Sequence, residues 1–289
     1  MPLNPRLNEC MCEDTLAQAS LDRAGQDAIN GDHRMTITEI QAVAFDLGGT
    51  LEDLYSDEAS RLETARGLYR LLVERGLDPC LSLRDLQATV LSGLGAYHQW
   101  REKREVELPP ERVWTEFIFP DRGLPKDRLA QAAEDLMFFY ETHAHVRTLR
   151  PEAPAALDAL RQRGFRLAVI SNIVSRRLAP ARLEQYGIAR YFDPILTSVE
   201  YGWRKPNERI FHEAARLMNL PPAACAYVGD TVSRDVIGAR RAGYRLAIQI
   251  QSFLTSQLDR GVDPEPPDVA IENLMQVVDV VTQSRERSE

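Results

Sequence analysis

Five side chains in this 289-residue chain stand where they could do chemistry together: Asp46, Ser171, Lys205, Asp230 and Asp235. Asp46 closes an apolar run at 40–47 and is followed by Gly48 and Gly49. Ser171 follows a second run, 165–170, and Asp230 follows a third, 224–228, with Asp235 just beyond. Lys205 stands immediately before Pro206. Each run is short, non-alternating and bounded by turn residues, as strands buried on both faces are. Ligands of such sheets bind beyond the carboxyl ends of the strands. One hydroxyl, one ammonium and three carboxylates therefore converge on one crevice. Three neighbouring carboxylates repel unless a cation neutralises them. Oxygen ligands alone select a hard ion, and Mg²⁺ is held by one or two carboxylates with waters and substrate phosphate. Lys and Ser are natural phosphate ligands, and a carboxylate not fully occupied by metal can attack as a nucleophile. The chemistry expected is metal-assisted handling of phosphate, with an Asp as candidate nucleophile.

The elements that must position these groups follow from the same pattern. Further strands are expected at 191–196, 244–250 and 268–271, and helices at 154–163, 177–186 and 235–241, with Pro206 opening one more at its first turn. Alternating strands and helices predict an α/β fold, a Rossmann-like doubly wound parallel sheet with right-handed crossovers. The alternation breaks between 55 and 147, where Leu62, Leu68, Leu71 and Leu72, then Leu86, Val90 and Leu94, then Leu136, Phe139 and Tyr140 recur at helical spacing. The expected organisation is a core of 40–54 and 148–283, an inserted α-helical cap domain at 55–147, and tails at 1–39 and 284–289. The first tail holds seven acidic residues against three basic, has weak periodicity, and reads as disordered.

Composition narrows the partners. The net charge of −8 argues against nucleic acid, which needs a basic footprint. No apolar stretch approaches the roughly 20 residues of a membrane span, and residues 1–18 lack the apolar core of a secretory signal. Cys10, Cys12, Cys80 and Cys225 read as free thiols, which places the chain in the cytoplasm. A monomer or homodimer working on a small phosphorylated metabolite is expected.

Four motifs then carry a resemblance. Phe45-Asp46-Leu47-Gly48-Gly49-Thr50-Leu51, Ile170-Ser171-Asn172, Gly202-Trp203-Arg204-Lys205-Pro206 and Val228-Gly229-Asp230-Thr231-Val232-Ser233-Arg234-Asp235 resemble, in order, the four motifs of the haloacid dehalogenase-like hydrolases. The insertion falls where subgroup I of that family carries its helical cap. The resemblance implies a Mg²⁺-dependent phosphatase. Asp46 is then the nucleophile that forms an aspartyl-phosphate, and Ser171 and Lys205 hold the phosphoryl oxygens. Gly49, Thr50 and Asn172 support the phosphate, and Asp46, the Gly48 carbonyl, Asp230 and Asp235 make the metal site. One departure matters. The family's phosphatases place a proton-donating Asp where this chain has Gly48, and general acid–base help contributes about 10²–10⁴-fold. Glu52, Asp53, His98, His143 and His145 are the nearby groups that could substitute. Gly48 keeps two alternatives in view: a non-catalytic phosphate-binding or regulatory protein, and a haloacid dehalogenase, which needs no metal. The retained Asp230 and Asp235 weigh against the dehalogenase. In the cap, the mixed-charge run 100–105 reads as a solvated helix face, and Trp100, Trp114, Phe138 and Phe139 as cap core.

Overall fold

The computed structural model describes residues 39–56, 58–120, 123–252, 255, 259 and 266–286. The expected tail at 1–39 lies, but for Glu39, outside the described residues. Six strands make one parallel sheet: β1 (Ala42–Phe45), β4 (Arg166–Ser171), β5 (Ile195–Thr197), β6 (Cys225–Gly229), β7 (Leu246–Ile250) and β8 (Val269–Ile271), in the order β5-β4-β1-β6-β7-β8. This is the Rossmann-like sheet expected from the apolar runs. Alternate residues enter two different cores. Val43, Phe45, Leu167, Val169, Ala226 and Val228 pack on one face. Ala42, Ala44, Ala168, Ile170, Cys225 and Tyr227 pack on the other. Both faces are covered, so the strands are apolar throughout rather than alternating. The first face is closed by the helices Ala153–Gln162, Leu178–Gln185 and Met275–Glu286, and the second by Glu208–Leu217 and Ile237–Arg241.

β1 lies between β4 and β6, so the chain crosses to one side of β1 and later to the other. This is the switch point at which such sheets bind ligands. Two further strands, β2 (Glu52–Tyr55) and β3 (Val146–Leu149), pair antiparallel and form a stem. Between them lies a helical cap: α1 (Glu58–Glu74), α2 (Leu83–Arg104), a short helix at Pro110–Arg112 continued by the wide π turn Val113–Ile118, and α3 (Lys126–His143). Its own core holds Leu68, Leu72, Leu86, Val90, Trp114 and Leu136. Phe139 and Trp100 pack against that core, whereas Phe138 packs against the first face of the sheet domain.

Three local expectations are corrected. The run 191–196 is only partly strand: Ala189–Tyr191 is a 3-10 turn and β5 spans Ile195–Thr197. Tyr191 and Phe192 are buried from that turn, so their apolar character records burial and not extension. Pro206 does not open a helix. Asn207 caps the helix at Glu208–Leu217 by accepting from the Arg209 amide at 3.1 Å. Residue 205 is pinned just before it: the Lys205 amide donates to Asn172 Oδ1 and Asn172 Nδ2 donates to the Lys205 carbonyl, both at 2.9 Å. The helix expected at 235–241 starts earlier, through a π turn at Val232–Val236. The last helix runs on to Glu286. Among the described residues, no helix is long and apolar enough to cross a membrane, Cys225 is a buried free thiol and Cys80 an exposed one.

Candidate active site

A cavity of about 260 Å³ opens beyond the carboxyl ends of β1, β4 and β6. Asp46, Gly48, Ser171, Asn172, Lys205, Asp230 and Asp235 all line it. The first loop, the end of β4, the 202–206 turn and the loop after β6 thus meet at one place. Gly49 and Thr50, expected to hold phosphate, lie off the cavity wall. Thr50 is fully buried, and its hydroxyl has no hydrogen-bond partner. Gly49 has a different use. Its φ is +87°, a region open to glycine, and a Cβ there would fall 2.3 Å from Asp230 Oδ2. The absence of a side chain is what lets Asp230 come down beside Asp46.

Lys205 organises the floor. Its Nζ lies 2.9 Å from Asp46 Oδ1 and 2.7 Å from Asp235 Oδ1, and donates to the Tyr227 hydroxyl at 2.8 Å. The other oxygen of Asp235 accepts from the Thr231 amide at 3.0 Å and the Thr231 hydroxyl at 2.6 Å. Asp235 thereby locks the loop that carries Asp230. Asp230 accepts from the Ser252 hydroxyl, and its carbonyl from Gln249 at 3.1 Å and Thr255 at 2.8 Å.

The electrostatics divide the three carboxylates. Burial raises Asp46, partly offset by Lys205 and reinforced by Asp235. Burial and the charges of Asp235 and Asp46 push Asp230 well above the ordinary carboxylate range. Against the cost of burial, Lys205 and the Thr231 bonds hold Asp235 below it. Lys205 is raised, since Asp235 and Asp46 outweigh its own desolvation. Oxygens of the three acids lie within 4.8 Å of one another with a single ammonium among them. That donor set, all oxygen and with negative charge in excess, fits a hard divalent cation.

The cap and stem close the other side of the cavity with His98, Arg101, His145 and Arg147, and the loop after β6 adds Arg234. Sequence reasoning named His98 and His145 only as unplaced candidates and missed all three arginines. His145 is held down to about 4 by burial and by Arg147 and Arg61, so it is neutral at pH 7. His98 is also lowered, by burial and Arg101. His143 stacks on Phe139 with ring centroids 4.0 Å apart and stands outside this cavity. Asp53 pairs with Arg150 at 3.0 Å. Glu52, fully buried, is held by Arg147 and by the Tyr186 hydroxyl at 2.7 Å, so it supports the stem.

The run 100–105 is only partly a solvated face: Lys103 and Arg104 are exposed, while its acids meet the core. Glu102 pairs with Arg204 and, at 3.0 Å, with Arg234, both on the core. Glu107 accepts from Ser198 Oγ at 2.8 Å. On the far side of the cap, Glu141 accepts from the Val174 and Ser175 amides at 3.0 and 2.8 Å, and Glu134 from Ser175 Oγ at 2.7 Å. Cap carboxylates thus grip both the loop that follows Ser171 and the turn that carries Lys205.

The chain is similar to known proteins. A model of the haloacid dehalogenase-like hydrolase family matches residues 40–243. The chain is 30% identical over 247 residues to a glyceraldehyde 3-phosphate phosphatase of Methanopyrus kandleri, covering 84% of this chain and 97% of that one. It is also 30% identical over 251 residues to a phosphoglycolate phosphatase of Vibrio vulnificus, covering 86% and 98%. Among solved structures, a 2-haloacid dehalogenase of Pseudomonas syringae superposes with a TM-score of 0.58 at 26% identity, covering 84% of this chain and 99% of that one.

Proposed function

The chain belongs to the haloacid dehalogenase-like hydrolases, and from that premise we propose that it is a Mg²⁺-dependent phosphatase of small organic phosphate monoesters, working through an aspartyl-phosphate on Asp46. The observation that carries this reading is the floor of the cavity, where one buried lysine bridges Asp46 and Asp235 while Asp230 stands beside them. A dehalogenase working without metal gives no reason for three clustered acids. The full-length relatives named as phosphatases support the same reaction class.

Asp46 is the most exposed of the three acids that line the cavity; its oxygen attacks phosphorus in line as the P–O bond to the alcohol breaks, and the departing alkoxide takes a proton from water. Ser171 and Lys205 hold the phosphoryl oxygens, and the Lys205 charge offsets what develops in transfer; removal of one such preorganised donor typically costs about 10²–10³-fold. Asn172 keeps Lys205 at this distance by gripping its amide and carbonyl. Asp46, Asp230 and the Gly48 carbonyl would hold Mg²⁺, with Asp235 beside them keeping Lys205 and the Asp230 loop in place. When bound, the ion supplies charge neutralisation at the transferring phosphoryl group. Water then hydrolyses the acyl-phosphate and regenerates Asp46. The cap excludes bulk water. We further propose a cytoplasmic monomer or homodimer without a nucleic-acid or membrane partner; the acidic net charge supports the absence of nucleic acid, and the free thiols of Cys80 and Cys225 the compartment.

The second reading, a phosphate-binding protein without turnover, is favoured by one observation: the position two residues after Asp46 is a glycine, which carries no proton donor, and a Cβ there would meet Leu54 and Arg147. The test is phosphate release from a panel of small esters, with Mg²⁺ and with EDTA. Metal-dependent release is expected. Measurable Mg²⁺ binding with no release from any ester would favour the binding protein, and release unaffected by EDTA would overturn the metal assignment.

A further inference from the structure

A second cavity, of about 320 Å³, lies within the cap between α1, α2 and α3. Its walls are Ala65, Leu68, Val90, Leu91 and Ala144, all buried except Leu91. Leu68 and Val90 also belong to the core of the cap, so the cavity is a gap in that packing. Two polar groups join the lining, the Gln87 amide and the Tyr140 hydroxyl, and among the described residues neither makes a hydrogen bond. The other polar side chains there are engaged: the Thr64 hydroxyl donates to the Ser60 carbonyl at 2.7 Å, and Arg61 to Ser56 Oγ at 3.2 Å. Among the described residues no carboxylate lines the cavity, and its one cation, Arg61, is exposed, where water and salt screen it. Apolar walls with a few polar groups, at about 300–1,000 Å³, are the ordinary make-up of a small-molecule site. Exposed apolar side chains gather at the same place. Of the six large ones among the described residues, Leu91 is in the lining, and Tyr55 and Val146, partners across the stem, are next in the chain to the lining residues Ser56 and His145. Single exposed apolar groups are ordinary, whereas a cluster marks a place of interaction.

His145 joins this cavity to the catalytic one, since it lines both. Its ring is neutral at pH 7, and among the described residues it makes no hydrogen bond. Turning it aside therefore breaks neither an ion pair nor a hydrogen bond. The space beside Asp46, about 260 Å³, is the smaller of the two. A bulky alcohol esterified to a phosphoryl group there has to extend through the wall, and His145 is the part of the wall with a second cavity behind it. We propose that the cap cavity is a pocket for the leaving group, entered past His145, and that the preferred substrates are phosphate esters of uncharged alcohols with an apolar body of about the size of a benzene ring. The proposal rests on the phosphatase reading. Ala65, Leu68, Val90 and Leu91 take the apolar body out of water, and Gln87 and Tyr140 are left to meet an uncharged polar substituent on it.

The experiment compares matched pairs. Ethyl phosphate and 2-phenylethyl phosphate are both esters of primary alcohols, so the chemistry at phosphorus is alike and the pair differs in the phenyl group. Propylphosphonate and 3-phenylpropylphosphonate are their non-hydrolysable counterparts. With Mg²⁺ present, kcat/KM is measured for the esters and Kd by calorimetry for the phosphonates. The wild type should favour the phenyl member of each pair by about 10- to 100-fold, the worth of burying one such group. Leu91→Trp, which fills the cavity from its exposed rim, and Ala65→Leu, which fills it from its buried side, should bring both ratios toward unity. A ratio is indifferent to loss of active protein, so partial misfolding does not mimic the effect. Equal values for the two members of each pair in the wild type, or wild-type ratios in both variants, would overturn the pocket and leave the phosphatase reading standing. Binding of free 2-phenylethanol that leaves the affinity for 3-phenylpropylphosphonate unchanged would show a separate site and overturn its role for the leaving group. Failure to release phosphate from either ester and from p-nitrophenyl phosphate would bring down the phosphatase reading, and the leaving-group pocket with it.

Discussion

Gly49→Ala tests whether the approach of Asp230 to Asp46 is what the first loop is built for. Two costs are expected, and they can be separated. The first is conformational: φ is +87°, where an L side chain costs about 1–2 kcal/mol. The second is steric: the new methyl would stand 2.3 Å from Asp230 Oδ2 and 2.7 Å from its Cγ. Ordinary contact requires the carboxylate to retreat by roughly 1 Å. It cannot do so freely, since Ser252 holds its oxygen and Gln249 and Thr255 hold its carbonyl. Misplacement of this size in a catalytic constellation costs about 10²-fold. Gly164 supplies the control. Its φ is +85°, yet a Cβ there meets nothing within 4 Å, and it lies in the turn before β4, away from the site. Gly164→Ala should lose about 1–2 kcal/mol in urea unfolding and keep wild-type kcat. Gly49→Ala should lose at least as much stability, about 100-fold in kcat, and require more Mg²⁺ for half-maximal rate. A Gly49→Ala enzyme with kcat within about threefold of wild type would refute the argument that Asp230 must sit where the structure puts it.

Asp46→Asn should lower turnover by at least about 10³-fold while leaving the melting transition in place, and acid-quenched enzyme should then show no trapped aspartyl-phosphate. Glu141 is pushed up to about 7 by burial, from an ordinary 4.5. The folded state therefore keeps a proton that the unfolded chain has released between those values, so its contribution is whole below about pH 4.5 and lost by about pH 7, some 3 kcal/mol in all. Urea unfolding at pH 5 and pH 8 should show that loss in the wild type and not in Glu141→Gln; an equal slope in both would remove Glu141 as its source. Gly93→Ala should destabilise by about 1–3 kcal/mol, because its Cβ would lie 2.6 Å from the Ile118 Cα, whereas at Gly95 a Cβ meets nothing and Ala should be neutral or stabilising by up to about 1 kcal/mol; equal effects at the two positions would show that the close crossing there carries no weight.

The floor of the site was legible in the chain because its placement is a local matter. Asp46, Ser171 and Asp230 each end a short apolar run, and runs of that kind become parallel strands whose ends must align. Nothing more distant than the run and its turn is needed to put them together. The strand at 191–196 shows where that logic stops. Apolar residues record burial, and Tyr191 and Phe192 achieve it from a 3-10 turn. Pro206 shows the same limit from the other direction: the Asn172 side chain fixes residue 205, and the helix begins only after it.

The cationic wall was not legible, and the reason is physical. His98 and Arg101 are neighbours at i and i+3 on α2, a spacing that brings side chains onto one face. Yet a run of alternating charge on a helix has the same composition whether its face meets water or the opposite charges of another domain. What decides between them is the position of Arg204 and Arg234, which are separated from Glu102 by 102 and 132 residues and come near it only once the sheet has formed. Charge pairing of this kind has no period and no spacing rule along the chain. The strand ends of this fold specify the reaction, while the arginines across the cavity come from α2, the stem strand β3 and the turn after β6, and their partners exist only in three dimensions. Two chains with the same four motifs can therefore share the floor of the site and differ wholly in its wall.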